Sequence, residues 1–189
     1  LHRWKDGLCS CLKYGCCHPS FLNALCLPQL LLAQVATRMK LDWLGNDALS
    51  SLEYRNTFCK MATILFGFFL VSFAITPYAT VIDIDEGGNV KVIKEAPLWY
   101  TVVSNLSQSL FAVYTLVVFV RVRRSIRERY RIREERCLGC EDFCCAFCCG
   151  CCTVAQMARH TADYEERRAM CFSATGLPRA DPEGPAILV

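Results

Sequence analysis

The sequence predicts a mainly α fold: a two-helix transmembrane hairpin plus a cysteine-rich, mostly helical cytosolic module formed by both ends. Three observations predict it. Residues 61–82 and 96–120 carry no charge, and each is long enough to cross a bilayer core as a helix. All 15 cysteines lie outside these stretches, six before the first and nine after the second. The charges are asymmetric about them: the connection 83–95 holds four acids and two lysines, whereas 121–136 holds eight arginines against three glutamates. The positive-inside rule then places both ends in the cytosol and the acidic connection outside.

The elements follow in order. Residues 1–60 form an amino-terminal cysteine-rich half-module. Within them, 19–37 is an uncharged run containing Asn23, Pro28, Gln29 and Gln34. A mid-run proline and three amides are costly in lipid, so this run reads as a buried or interfacial helix, with Pro28 at a first helical position and the helix running to about Leu41. The first span, 61–82, is rich in Leu, Ile, Phe, Val and Ala, and Pro77 sits near its end, where it kinks or ends the helix. In the connection 83–95, Gly87, Gly88 and Asn89 mark a turn beside a strand-like piece at 90–93. The second span, 96–120, is wetter: Thr101, Asn105, Gln108, Ala112 and Thr115 recur at helical steps as a small and polar stripe suited to helix–helix contact. Residues 121–136 read as a basic juxtamembrane helix that attracts anionic lipid headgroups. Residues 137–176 form the carboxy-terminal cysteine-rich half-module, with a polar helix at 162–168. The proline-bearing tail 177–189 reads as disordered. Neither span resembles a cleavable leader, and a chain that starts at Leu1 reads as a fragment or processed product.

Cytosolic thiols sit in a reducing compartment, where a disulfide framework is not expected. Metal ligation, packing as small hydrophobes, and S-acylation or redox use remain. The candidate metal ligands are Cys9, Cys11, Cys16, Cys17, His18 and Cys26 near the amino end, and Cys137, Cys140, Cys144, Cys145, Cys148, Cys149, Cys151 and Cys152 near the other. Zinc takes four ligands, mostly thiolate and imidazole, often two close in sequence and two from elsewhere. The spacing of Cys137 and Cys140 suits half of such a site; a second pair at the interval of a zinc finger is missing. If a helix ran unbroken from Arg121 to about Arg159, Cys137, Cys140, Cys144, Cys148 and Cys151 would share one side of it.

The motifs at both ends resemble one family. WKDGLCSC at 4–11, the pair Cys16–Cys17, CLPQLLLAQ at 26–34 and CCGCCTVAQMARH at 148–160 are similar to the placenta-specific gene eight cysteine-rich family. The family's cysteine–proline–cysteine element stands here as Cys26-Leu27-Pro28-Gln29. The resemblance implies a membrane protein tied to zinc or cadmium handling, calcium entry or organ-size control. It carries the family's closing glutamine and arginine onto Gln156 and Arg159, and it implies no catalytic residues.

No phosphate-binding glycine loop, zincin helix or ordered Ser/His/Asp set is present, so no enzyme is expected. The basic run lacks the aromatic interleaving of a nucleic-acid surface. Two functions stand. In one, cytosolic thiolates bind zinc or a related soft metal, and a homo-oligomer takes part in its homeostasis or transport. In the other, the cysteine module is structural and recruits partners at the membrane.

Overall fold

The computed structural model describes residues 3–10, 12–84, 90–134 and 137–178. It is mainly helical: α1 (Pro19–Cys26), α2 (Pro28–Arg38), α3 (Ser51–Ile75), α4 (Leu98–Tyr130), α5 (Glu141–Cys148) and α6 (Gly150–Thr161), with strands β1 (Val81–Ile84) and β2 (Val90–Lys94) between α3 and α4. The chain divides into two compact units, one of Leu1–Thr63 with Thr115–Val189 and one of Ile64–Tyr114.

The first unit joins the two ends of the chain. Pro19 and Pro28 each open a helix at the first position, where a missing N–H matters least. His18 caps α1, its Nδ1 accepting the Ser20 N–H at 3.3 Å. Nine of the eleven residues of α2 are buried, as a helix apolar on most sides requires. Leu31, Leu32, Val35 and Ala36 of α2 share the core with Val118, Val122 and Ile126 of α4 and with Val154, Met157 and Ala158 of α6. Two of the three amides of 19–37 bond to the carboxy-terminal loop: Asn23 donates to the Cys171 carbonyl at 2.8 Å, and Gln34 donates to the carbonyls of Cys171 (2.8 Å) and Ser173 (2.9 Å). This run is therefore a pair of buried helices.

Helix α2 ends at Arg38, three residues before the expected stop. The Lys40 and Leu41 N–H groups turn back to the Thr37 and Ala36 carbonyls, with Lys40 at φ 56°. Helix α4 closes the same way: the Arg131 and Ile132 N–H groups bond to Glu128 and Arg127, with Arg131 at φ 54°. Both are Schellman closures that use a long cation where glycine is usual, with a buried apolar residue following. The unbroken helix to Arg159 is thus replaced by α4, a linker, α5 and α6. Cys149, at φ −138° and ψ 50°, separates the last two. The polar helix expected at 162–168 is absent, because α6 ends at Thr161 and the Asp163 carboxylate accepts the Glu165 N–H at 3.0 Å to make a turn.

In the second unit the first apolar helix stops at Ile75, short of residue 82, and Thr76–Tyr78 form a 3-10 turn around Pro77. β1 and β2 then pair antiparallel, Ile84 opposite Val90, with an irregularity beside Val81. The turn at Gly87, Gly88 and Asn89 lies outside the described residues. Phe68 and Phe111 stack at 4.1 Å between centroids. The stretch Ser51–Tyr78 and the helix Leu98–Tyr130 are both long and apolar enough to cross a membrane, and only 11% of the most apolar window of each is buried.

Candidate functional site

Residues 3–10 are held on α6 by the side chains that follow its cysteines. Gln156, Arg159 and His160 lie three and four positions apart and so face one way. The Gln156 side chain donates to the Asp6 carbonyl at 3.0 Å and accepts from Arg123 at 3.0 Å. Arg159, 1% exposed, donates to the Gly7 carbonyl at 3.3 Å and lies 3.4 Å from the Asp6 carboxylate. The Lys5 N–H donates to His160 Nδ1 at 3.1 Å, and the Arg123 guanidinium lies 4.5 Å from the centre of the Trp4 ring. Gln156 and Arg159, which the resemblance singled out without a role, thus fasten one end of the chain to the other.

Beneath this seam lies a buried ionic layer. Asp142, the second residue of α5, accepts from Arg123 Nε at 3.1 Å and from Arg127 at 2.8 and 2.6 Å. Arg127 also bonds to Glu134 at 2.6 Å, and Glu141 lies 3.6 Å from Arg123. The arrangement is a carboxylate clamped between two arginines one helical turn apart. It is costly to break, because each partner left behind is an uncompensated buried charge. Arg123 and Arg127 are therefore turned inward, and Arg129 bonds to the Met39 carbonyl and to Asp47. The surface charge of the basic run is smaller than its arginine count.

Titration follows the contacts. The Gly139 N–H, and then Arg127, hold the Glu134 carboxyl below its ordinary value. Burial, and then the Lys5 ammonium, push the His160 imidazole down, and burial does the same to His18. A bond from Lys5 to Nδ1 requires that nitrogen unprotonated, which fits a neutral His160.

The predicted metal ligands are distributed differently. Cys9, Cys16, Cys17 and Cys26 are exposed; Cys11 lies outside the described residues. The sulfurs of Cys16 and Cys17 are 3.9 Å apart, and their hydrogen bond raises the Cys17 thiol. His18 uses Nδ1 on Ser20. Against the expectation of unpaired thiols in a reducing compartment, Cys137 and Cys140 are joined as a disulfide and so are partners of each other, a local bridge across three residues rather than a framework. Cys144, Cys148, Cys149 and Cys151 are exposed, Cys145 and Cys152 partly buried, and burial raises the Cys145 thiol, which lowers its thiolate fraction. Among the described residues no three of His, Cys, Asp and Glu converge as a metal site.

Sequence reasoning missed the ionic layer, although two signals carried it. Arg123 and Arg127 stand four apart on a helix, and the acidic pair Glu141–Asp142 opens the next one. Trp4 and Asp6 had only their place in the opening motif.

A module built from both ends and two apolar helices defines a class of cysteine-rich protein with membrane-spanning potential. The model of the PLAC8 family matches residues 4–160, and the chain belongs to that family. No curated protein and no solved structure matches the chain.

Proposed function

We propose that this chain is a non-catalytic, two-span membrane protein with both ends cytosolic, whose end-joined module recruits partners at the membrane. The single observation behind this reading is the seam: Gln156 and Arg159 hold the backbone of Asp6 and Gly7, so the module is one folded body. Its outer surface carries Leu138, Phe143 and Phe147 together with free cysteines. The stripe of Thr101, Asn105, Gln108 and Ala112 is exposed in the single chain and is available to a second copy or another membrane protein. The outward arginines of the basic run meet anionic headgroups.

The topology has a direct test. In sealed, right-side-out vesicles, a membrane-impermeant maleimide should label Cys16, Cys17 and Cys148 only after permeabilisation. Labelling of intact vesicles would put the module on the other face and end the cytosolic reading. Native cross-linking with mass spectrometry then identifies what the module holds.

A second reading, zinc or cadmium handling, draws on the exposed cysteines of α5 and α6. Ligands from a second copy would complete such a site. The test is metal content of the purified protein against its oligomeric state: metal retained by oligomers and lost on dissociation supports it, and metal-free oligomers with titratable thiols refute it.

A further inference from the structure

A cavity of about 410 Å³ opens in the first unit where the end of α2, the first turns of α3, the end of α4 and the loop at 174–177 meet. Three cations line it: Arg38, Lys40 and Arg55. No carboxylate does, and among the described residues none of the three makes an ion pair. Arg38 is 9% exposed; its Nη1 donates to the Tyr164 hydroxyl at 3.3 Å, while Nε and Nη2 are buried with no hydrogen-bond partner among the described residues. Buried guanidinium groups are otherwise paired, as Arg123 and Arg127 are here.

Helix dipoles do not cancel this charge. The ends of α2, α4 and α6 contribute roughly −0.5 each and the start of α3 roughly +0.5, against three full positive charges. The field in the cavity is that of an anion site. Tyr54 and Tyr130 add rings and hydroxyls, and Ala174 and Leu177 an apolar side. The volume lies in the range of small-molecule pockets and exceeds what a bare ion fills.

We propose that this cavity binds a phosphate ester on a polyol-sized headgroup, with Arg38 and Arg55 on the phosphate oxygens and the tyrosines against the polyol. Arginine suits phosphate through its planar fork of donors. Arg55 stands six residues before Met61, about 9 Å along α3 from the start of the uncharged stretch. A lipid headgroup and a soluble ester are the two sources of this chemistry.

The test uses the full chain in phosphatidylcholine nanodiscs. Inositol trisphosphate is titrated by calorimetry, and discs doped with a few mole per cent phosphatidylinositol bisphosphate are compared by melting temperature. Saturable binding of the soluble ester, or stabilisation by the lipid alone, identifies the source. Arg55→Gln, at an exposed position, should weaken either by about tenfold. Arg133→Gln, on the surface beyond α4, should leave both unchanged. Arg38→Met should abolish binding while holding or raising the melting temperature, because it removes an unpaired buried charge. Absence of both signals overturns the proposal, as does equal weakening by Arg133→Gln, which would mean diffuse attraction to the basic run.

Discussion

The two units of this chain treat polar and apolar groups in opposite ways. In the end-joined unit, Asp142, Arg123, Gln156 and Arg159 are buried and bonded, and the apolar core is closed over. In the hairpin unit, Phe66, Phe69, Leu70, Phe73, Leu106 and Leu110 are exposed, and within its helices the Thr76 and Gln108 side chains bond one turn away, to Ser72 and Ser104. Exposed apolar surface on this scale is foreign to a water-facing protein. One helix, α4, belongs to both regimes: Leu106 and Leu110 are exposed, whereas Val122 and Ile126 are fully buried. The stability of the first unit is therefore a matter of specific pairs, and that of the second a matter of its solvent.

The comparison breaks most readily at Asp142. Asp142→Ala leaves Arg123 and Arg127 buried without their main partner and should destabilise the first unit by about 3–5 kcal/mol. Denaturation of detergent-purified protein carrying Trp43→Phe and Trp99→Phe, so that Trp4 alone fluoresces, checks it. A loss below 1 kcal/mol (on the order of a surface pair) would show that the ionic layer is solvated and that the two units differ less than described.

Next in size is Gln34. Its amide serves three carbonyls of the carboxy-terminal loop, those of Met170, Cys171 and Ser173, and its carbonyl end sits beside Gly176, where an added Cβ would lie 2.9 Å from Oε1. Gln34→Ala should lower stability by about 1–3 kcal/mol and expose residues 170–177 to protease before the rest of the unit. Loss of stability without early cleavage there would locate the effect in α2 packing rather than in loop docking.

These residues also show what the sequence made legible. The two long apolar helices, Pro28 opening a helix, the strand-like piece at 90–93 and the family resemblance were readable, because charge, proline and motif spacing are local signals. Helix ends at Arg38 and Tyr130 were not, since their closures place Lys40 and Arg131 where glycine would have given notice. The continuous helix to Arg159 failed for the same reason. Of the site, Gln156 and Arg159 were legible as motif members but not as fasteners, because their partners are backbone groups about 150 residues away. The single helical face drawn for Cys137, Cys140, Cys144, Cys148 and Cys151 is interrupted at Tyr130 and again at Cys149, because periodicity puts side chains on a face only while the helix continues.

Acid gives a smaller effect of predictable sign. The folded-state values of His160 and His18 lie below the ordinary histidine value, so near pH 6 the unfolded chain binds more protons. The contribution is fully present above about pH 6.5 and declines as pH falls below it. Both rings are part-exposed, so the slope should stay well under about 1.4 kcal/mol per pH unit for each. Melting temperature between pH 7.5 and 5.5 checks the sign; His160→Asn, which keeps an acceptor for the Lys5 N–H, should flatten the profile. A profile that rises on acidification would mean that the rings are charged in the fold.

The smallest expected effect is the sharpest probe of the hairpin. Among the described residues Gln108 makes one side-chain bond, to Ser104 within its own helix at 2.8 Å, and is exposed. Gln108→Leu should therefore leave the first unit's stability within about 0.5 kcal/mol. If the polar stripe of α4 meets a second copy, the same substitution removes a hydrogen-bonding group from a membrane interface, where such groups contribute on average about 0.6 kcal/mol. Sedimentation in detergent would then show a weaker oligomer with an unchanged module. An unchanged assembly would assign Gln108 to lipid or to a different partner. A destabilised module would contradict the separation itself, since a substitution in the hairpin would then reach pairs that belong to the other unit.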